Sequence, residues 1–221
     1  MELDAFEAVD RYFVNLLHAP DATLDAAQGA CTEAGLPDIQ VSTSQGKFLQ
    51  LLVRLSGAKR ILELGTLGAF STIWMARALL KGGRLVTLEF DSKHVEVARG
   101  NLANAGLDAV VDVIEGPALD TLSKLDAKGI EPFDFIFLDA DKEGYPDYLP
   151  WLLRFSRPGT VIIADNVVRD GAVIDSTSPD PRVQGVREFN DLVANEPRLD
   201  ATTMQTVGAK GYDGFLIAIV K

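Results

Sequence analysis

The apolar residues of this chain follow two rhythms, and the change comes near residue 60. Before it they recur at helical spacing, with Phe6, Val9, Phe13, Leu16 and Leu17 marking a helix in residues 1–20 that stops at Pro20-Asp21. A second helix is predicted over 21–34, closed by Gly35 and then Pro37. A third is predicted over 45–56, with Phe48, Leu49, Leu52 and Leu55 turned inward. From residue 60 short apolar runs alternate with helical stretches. Strands are predicted at 60–64, 85–90, 110–115, 133–138 and 160–164, and helices at 71–80, 92–105, 118–128, 145–156 and 183–196. A last strand pair, 201–206 and 215–220, flanks the glycine-rich stretch 208–214.

This alternation implies an α/β fold: a doubly wound, mostly parallel sheet of seven strands ending in an antiparallel C-terminal hairpin. The helices that precede the first strand read as an N-terminal cap, residues 1–58, on a core of 59–221, the whole forming a single domain, 1–221. Residues 169–182, rich in turn-formers, are predicted to be the mobile loop.

Composition narrows the function. The formal net charge is −11, which speaks against nucleic acid or an anionic membrane as partner, since both need basic surface. No run approaches the ~20 apolar residues of a membrane span. Cys31 is the one cysteine and cannot form an internal disulfide; it is expected to be half-buried. With an acidic start lacking a signal-type segment, a cytoplasmic location is expected.

The chemistry gathers at strand ends. Asp134-Phe-Ile-Phe-Leu-Asp139-Ala-Asp141-Lys142 and Val161-Ile-Ile-Ala-Asp165-Asn166 are apolar runs that end in oxygen-bearing side chains, where α/β sheets bind ligands. Asp139, Asp165 and Asn166 are hard oxygen donors without nearby His or Cys, suited to Mg²⁺, Mn²⁺ or Ca²⁺. Lys142 follows Asp139 by three residues, and beside a divalent cation its pKa should fall, fitting it for general base. A glycine loop, Glu63-Leu-Gly65-Thr-Leu-Gly68-Ala-Phe-Ser71, joins the first strand to a helix. Its G-x-x-G spacing departs from the dinucleotide fingerprint and disfavours a nicotinamide dehydrogenase. Glu89, at the end of the second strand, stands where an acid grips ribose hydroxyls. Glu63 lies inside an apolar strand and needs a cationic or hydrogen-bonding partner; a ligand ammonium or ordered backbone amides would supply one. His18 and His94 read as surface residues, and Trp74 and Trp151 as packing residues.

These motifs, together with Thr43-Ser-Gln-Gly46, Glu115-Gly-Pro-Ala118-Leu, Gly185-Val-Arg-Glu-Phe-Asn190 and Asp213-Gly-Phe, cover nearly the whole chain. They resemble the cation-dependent class I S-adenosylmethionine O-methyltransferases of the caffeoyl-CoA and catechol type, including small bacterial members. The resemblance implies the Rossmann-like class I methyltransferase sheet, S-adenosyl-L-methionine, a divalent metal and a small-molecule aromatic diol as acceptor. It also implies a homodimer. Residue by residue, it implies that Glu63, Gly65, Thr66 and Ser71 hold the methionine part of the cofactor and that Glu89 holds the ribose. Ala118 would lie beside adenine, Val41 would add a main-chain contact, and Asp141 would be a further cofactor-contacting acid. Asp139, Asp165 and Asn166 match the metal ligands, and Lys142 the catalytic base. Arg169-Asp170 stands in the stretch that shapes the acceptor pocket, and the tryptophans that wall the animal catechol enzyme's substrate are absent around Ala140. The acceptor is therefore open between a free catechol, a CoA thioester and another natural product. A non-catalytic module on the same scaffold would have relaxed metal residues, and an RNA methyltransferase is opposed by the acidic charge.

Overall fold

In the computed structural model, which describes residues 3–221, three helices come first: α1 (Leu3–Leu17), α2 (Ala22–Glu33) and α3 (Thr43–Ser56). The first two residues of the predicted opening helix lie outside the described residues. Then follow β1 (Arg60–Leu64), α4 (Phe70–Ala76), β2 (Arg84–Glu89), α5 (Ser92–Asn104), β3 (Val111–Glu115) and α6 (Ala118–Ala127). The chain continues through β4 (Phe135–Leu138), a 3₁₀ turn at Lys142–Gly144, α7 (Tyr145–Arg154) and β5 (Val161–Asp165). A second 3₁₀ turn at Ala172–Ile174, α8 (Pro181–Ala194), β6 (Leu199–Gly208) and β7 (Gly211–Val220) complete it. Helix starts are set by short polar side chains: Asp21 accepts from the Leu24 amide at 3.1 Å, and Ser42 from that of Gln45 at 3.1 Å.

The strands form one seven-stranded sheet in the order β3-β2-β1-β4-β5-β7-β6, parallel except for β7, which runs antiparallel to both β5 and β6. Strand order reverses between β1 and β4, and such switch points open a crevice at the carboxyl ends of the strands. Register carries Leu88, Leu64, Leu138 and Ala164 across four neighbouring strands, so the residues that follow them, 89, 65, 139 and 165, share one edge. That edge is where the sequence placed its polar cluster.

Alternation along the strands divides the core. Leu62, Leu64, Ile136 and Leu138 face α6, α7 and α8, packing with Leu122, Leu152 and Phe189. Ile61, Phe135, Phe137 and Ile163 face the other way, onto Leu49, Val53, Ile73 and Leu102 of α3, α4 and α5. Each such fully buried side chain contributes roughly 1.5–3 kcal/mol. Because α3 joins this second layer, it is a structural part of the sheet's packing.

The differences from the predicted elements have local causes. α3 buries Gly46, Leu49 and Val53, whereas Leu55 is 83% exposed, so the inward stripe passes one position away from it. α4 ends at Ala76 instead of residue 80, because the Leu80 amide turns back to the Ala58 carbonyl at 3.2 Å. β4 starts at Phe135, since the Phe133 amide leaves the ladder for the Phe155 carbonyl at 2.8 Å. The hairpin strands are longer than expected and turn at Ala209-Lys210. Gly214 lies inside β7, where a Cβ would come within 2.5 Å of the Met204 carbonyl oxygen, a close backbone approach that only glycine permits.

The 169–182 segment, expected to be mobile, is hydrogen-bonded to its surroundings. Arg187 donates to the Val173 carbonyl, and Gln184 Nε2 to that of Ser178 at 2.8 Å. Helix α1 leaves an apolar row uncovered, Leu16 and Leu17 being 61% and 68% exposed. Among the described residues no helix is long and apolar enough to cross a membrane.

Candidate active site

A cavity of about 930 Å³ opens above the carboxyl ends of β1, β2, β4 and β5. One side of its wall is the glycine loop, with Gly65, Thr66 and Ser71, continued by Glu89, Ala118 and Val41. The other side carries Asp139, Asp141, Lys142 and Asn166. Glu63 and Asp165, both buried, lie behind this wall and do not line it.

Gly65 has φ +97, and a Cβ there would stand 2.1 Å from the Asp139 carbonyl oxygen. The glycine that sequence reasoning assigned to close ligand approach thus allows the β1 and β4 tips to pass each other. Gly68 is likewise tight against protein, its would-be Cβ falling 2.0 Å from Cys31 Sγ on α2. Cys31 is half-buried, as expected. Glu89 shapes the loop: Oε2 accepts from the Thr66 and Leu67 amides at 3.2 and 2.8 Å, and Oε1 from the Asp91 amide at 3.0 Å.

The partners of Glu63 are side-chain hydroxyls. Ser71 Oγ donates at 2.6 Å and Thr72 Oγ1 at 2.5 Å. Burial raises its carboxyl to about 7, against the lowering by these hydrogen bonds. Ser71 both lines the cavity and holds Glu63, while the Thr66 and Thr87 hydroxyls pair at 2.6 Å beneath the loop.

At the acidic end, Lys142 Nζ donates to Asp139 Oδ1 at 2.6 Å and to the Ala140 carbonyl at 3.0 Å. Burial acts to lower the Lys142 pKa, but the charge of Asp139 and its hydrogen bond outweigh it, so the net direction is up. The expected fall depends on a neighbouring cation; the protein's own groups push the other way. Asp165 is raised to about 7, first by burial and then by the charge of Asp139. Asp139 and Asn166 line the cavity with Asp165 buried just behind, and their oxygens are donors of the kind that suits a hard divalent cation. Among the described residues no group of three or more Asp, Glu, His or Cys gathers that could hold a metal ion. Asn166 sits at φ +55, a left-handed conformation that asparagine tolerates.

Several residues were missed. The Tyr145 hydroxyl lies 3.0 Å from both the Leu138 and Asp165 carbonyl oxygens and so clamps the tips of β4 and β5. Gln45 of α3 acts to lower the Asp165 pKa against the rise from burial. Tyr148 donates to Asp141 Oδ1 at 2.5 Å and lines the cavity. His94, read as a surface residue, also lines it, with Nδ1 3.4 Å from Glu89 Oε1. His18 is half-buried against Trp74, ring centroids 6.3 Å apart, and burial first, then Lys47, lowers its pKa. The signal for these positions was weak, because their partners are distant in sequence or the residue types are common in cores.

The sequence profile described as O-methyltransferase matches residues 21–217. A catechol O-methyltransferase of Niastella koreensis is 54% identical over 221 residues, covering 100% of both chains. The solved O-methyltransferase from Bacillus cereus in complex with SAH has a TM-score of 0.99 and 55% identity, with 100% of each chain covered. TomG from Streptomyces achromogenes, an O-methyltransferase involved in tomaymycin synthesis and solved with SAM, has a TM-score of 0.96 and 49% identity over 100% of this chain and 99% of that one. With a glycine loop and an oxygen-rich cluster facing one cavity at a sheet switch point, and with these matches along its length, the chain belongs to the O-methyltransferase family of enzymes.

Proposed function

We propose that the chain moves the methyl group of S-adenosylmethionine to one hydroxyl of a vicinal dihydroxy aromatic small molecule, with a divalent metal held by Asp139, Asp165 and Asn166. The observation that carries this reading is that the Gly65–Ser71 loop and Glu89 share one cavity with Asp139, Lys142 and Asn166. The names of the relatives support it, since they include a catechol O-methyltransferase and structures in complex with SAH and with SAM.

In this reading Gly65, Thr66 and Ser71 hold the methionine end, Glu89 the ribose and Ala118 the adenine edge, with Val41 and Asp141 completing the wall. Glu63 fixes the loop from behind through Ser71 and Thr72. A divalent cation held by Asp139, Asp165 and Asn166 would supply the positive charge that lowers the pKa of the acceptor hydroxyl. Lys142, buried and tethered at Asp139, would take the acceptor's proton in its neutral form, which a divalent cation held by Asp139 would favour. The acceptor oxygen then attacks the methyl carbon in line with the departing sulfur, and orientation supplies much of the acceleration. The uncovered apolar row of α1 supports a homodimer in this reading, and the acidic, single-cysteine chain suits a cytoplasmic setting.

Labelled S-adenosylmethionine, catechol and Mg²⁺ test it. Methylated catechol is expected, abolished by EDTA and restored by Mg²⁺. Full turnover in chelator removes the metal, and no methyl transfer to any vicinal diol overturns the reaction. Lys142→Ala is expected to lower kcat by about 100-fold or more while cofactor affinity stays close to wild type.

A further inference from the structure

Three cationic side chains line the cavity: Lys142, Arg169 and Arg182. Two of them are committed. Lys142 Nζ lies 2.6 Å from Asp139, and Arg182 grips Asp180 with Nε at 3.0 Å and a terminal nitrogen at 2.8 Å. Arg169 is different. Among the described residues its guanidinium makes no hydrogen bond, and its ion-pair partner, Asp213 Oδ2, stands 3.7 Å away. Its Nε is buried without a partner, and the side chain as a whole is only 21% exposed. A guanidinium stays charged and presents five donors in a planar fork, so leaving it unbonded in a half-buried place is costly.

The backbone beneath it is built for this placement. Asp213 Oδ1 accepts from the Val168 and Arg169 amides at 3.0 and 2.9 Å. That holds Arg169 at φ +56, a left-handed conformation uncommon for a residue other than glycine. Local strain of this kind persists where the surroundings enforce it and clusters at ligand sites. The loop thus presents to the cavity, three residues beyond Asn166, a cation held only by a long ion pair with Asp213, on a wall otherwise rich in carboxylates such as Asp139, Asp141 and Glu143.

We infer that Arg169 is a specificity-determining residue that reads a carboxylate on the acceptor, so that the preferred substrates are vicinal dihydroxy aromatic acids. A carboxylate matches the planar fork in two parallel hydrogen bonds and satisfies the donors the protein leaves open. This rests on the proposed methyl transfer to a diol in the same cavity.

The test compares 3,4-dihydroxybenzoate with its neutral methyl ester, which keeps the ring and both hydroxyls but removes the negative charge. Wild type is expected to favour the acid in kcat/KM by roughly ten- to hundredfold, mainly through KM. Arg169→Gln should bring the acid-to-ester ratio close to one, and Arg169→Lys, which keeps the charge but loses the fork, should retain part of it. Equal use of acid and ester by wild type, or a ratio that survives Arg169→Gln, overturns the inference. Should Arg169→Gln fail to fold, the wild-type ratio and its decline in Arg169→Lys decide the matter. If neither compound is methylated, the reaction reading falls and calorimetry of 3,4-dihydroxybenzoate binding judges the arginine alone. Binding by wild type that Arg169→Gln loses supports the arginine; equal binding or none overturns it.

Discussion

Glu63 shows how one carboxyl can be tied to both folding and the loop above it. It is fully buried in β1, and the hydroxyls of Ser71 and Thr72 close on its two oxygens at 2.6 and 2.5 Å. Burial pushes its pKa from 4.5 up to about 7, with the charge of Asp139 adding to the rise. A folded-state value above the unfolded one means that the native chain holds this proton more tightly. The stabilisation is complete below the ordinary value and is lost as pH climbs through about 7; the full difference is about 3 kcal/mol. The melting temperature of protein kept in EDTA is therefore expected to fall between about pH 5 and 8, and Glu63→Gln should reduce that fall. Asp165 shifts in the same direction, so some slope remains in the variant. Identical slopes in the two proteins would remove Glu63 as a source. An acid in an apolar strand was legible as a group in need of a partner. That the partner is a pair of hydroxyls on α4 was not, because their aim depends on how that helix lies against β1.

At the scale of elements, α2 and the glycine loop fit together through Cys31 and Gly68. A Cβ on Gly68 would meet Cys31 Sγ at 2.0 Å, yet Cys31 Cβ only at 3.6 Å. Gly68→Ala should thus overpack this junction and cost about 1–3 kcal/mol. Cys31→Ala in the same chain should recover most of the loss, since it removes the sulfur that clashes. Thermal unfolding of the two single variants and the double variant measures the coupling, and purely additive losses would exclude it. The strand–loop–helix order of this region is legible from periodicity and glycine spacing. The tight neighbours are not: Gly65 packs on Asp139 and Gly68 on α2, contacts between segments far apart in the chain.

For the molecule as a whole, the acidic edge of the sheet should make stability depend on a divalent ion. A ligand that binds only the folded state stabilises it by about 2.7 kcal/mol at a hundredfold excess over Kd. Mg²⁺ or Mn²⁺ is expected to raise the melting temperature of wild type, and Asp165→Asn should lose the rise. No shift in wild type at millimolar metal would count against the cluster as a metal site. Sequence alone determined the succession of strands and helices, the antiparallel end, the polar residues at the strand tips and the family resemblance, because periodicity, capping and strand-end chemistry are written in neighbouring residues. Tertiary structure decided which tips meet. It set β1 beside β4, closed Ser71 and Thr72 over Glu63 and, among the described residues, left the Arg169 guanidinium without a hydrogen bond in the cavity wall. Those outcomes depend on crossovers and on packing between distant segments, which no local pattern encodes.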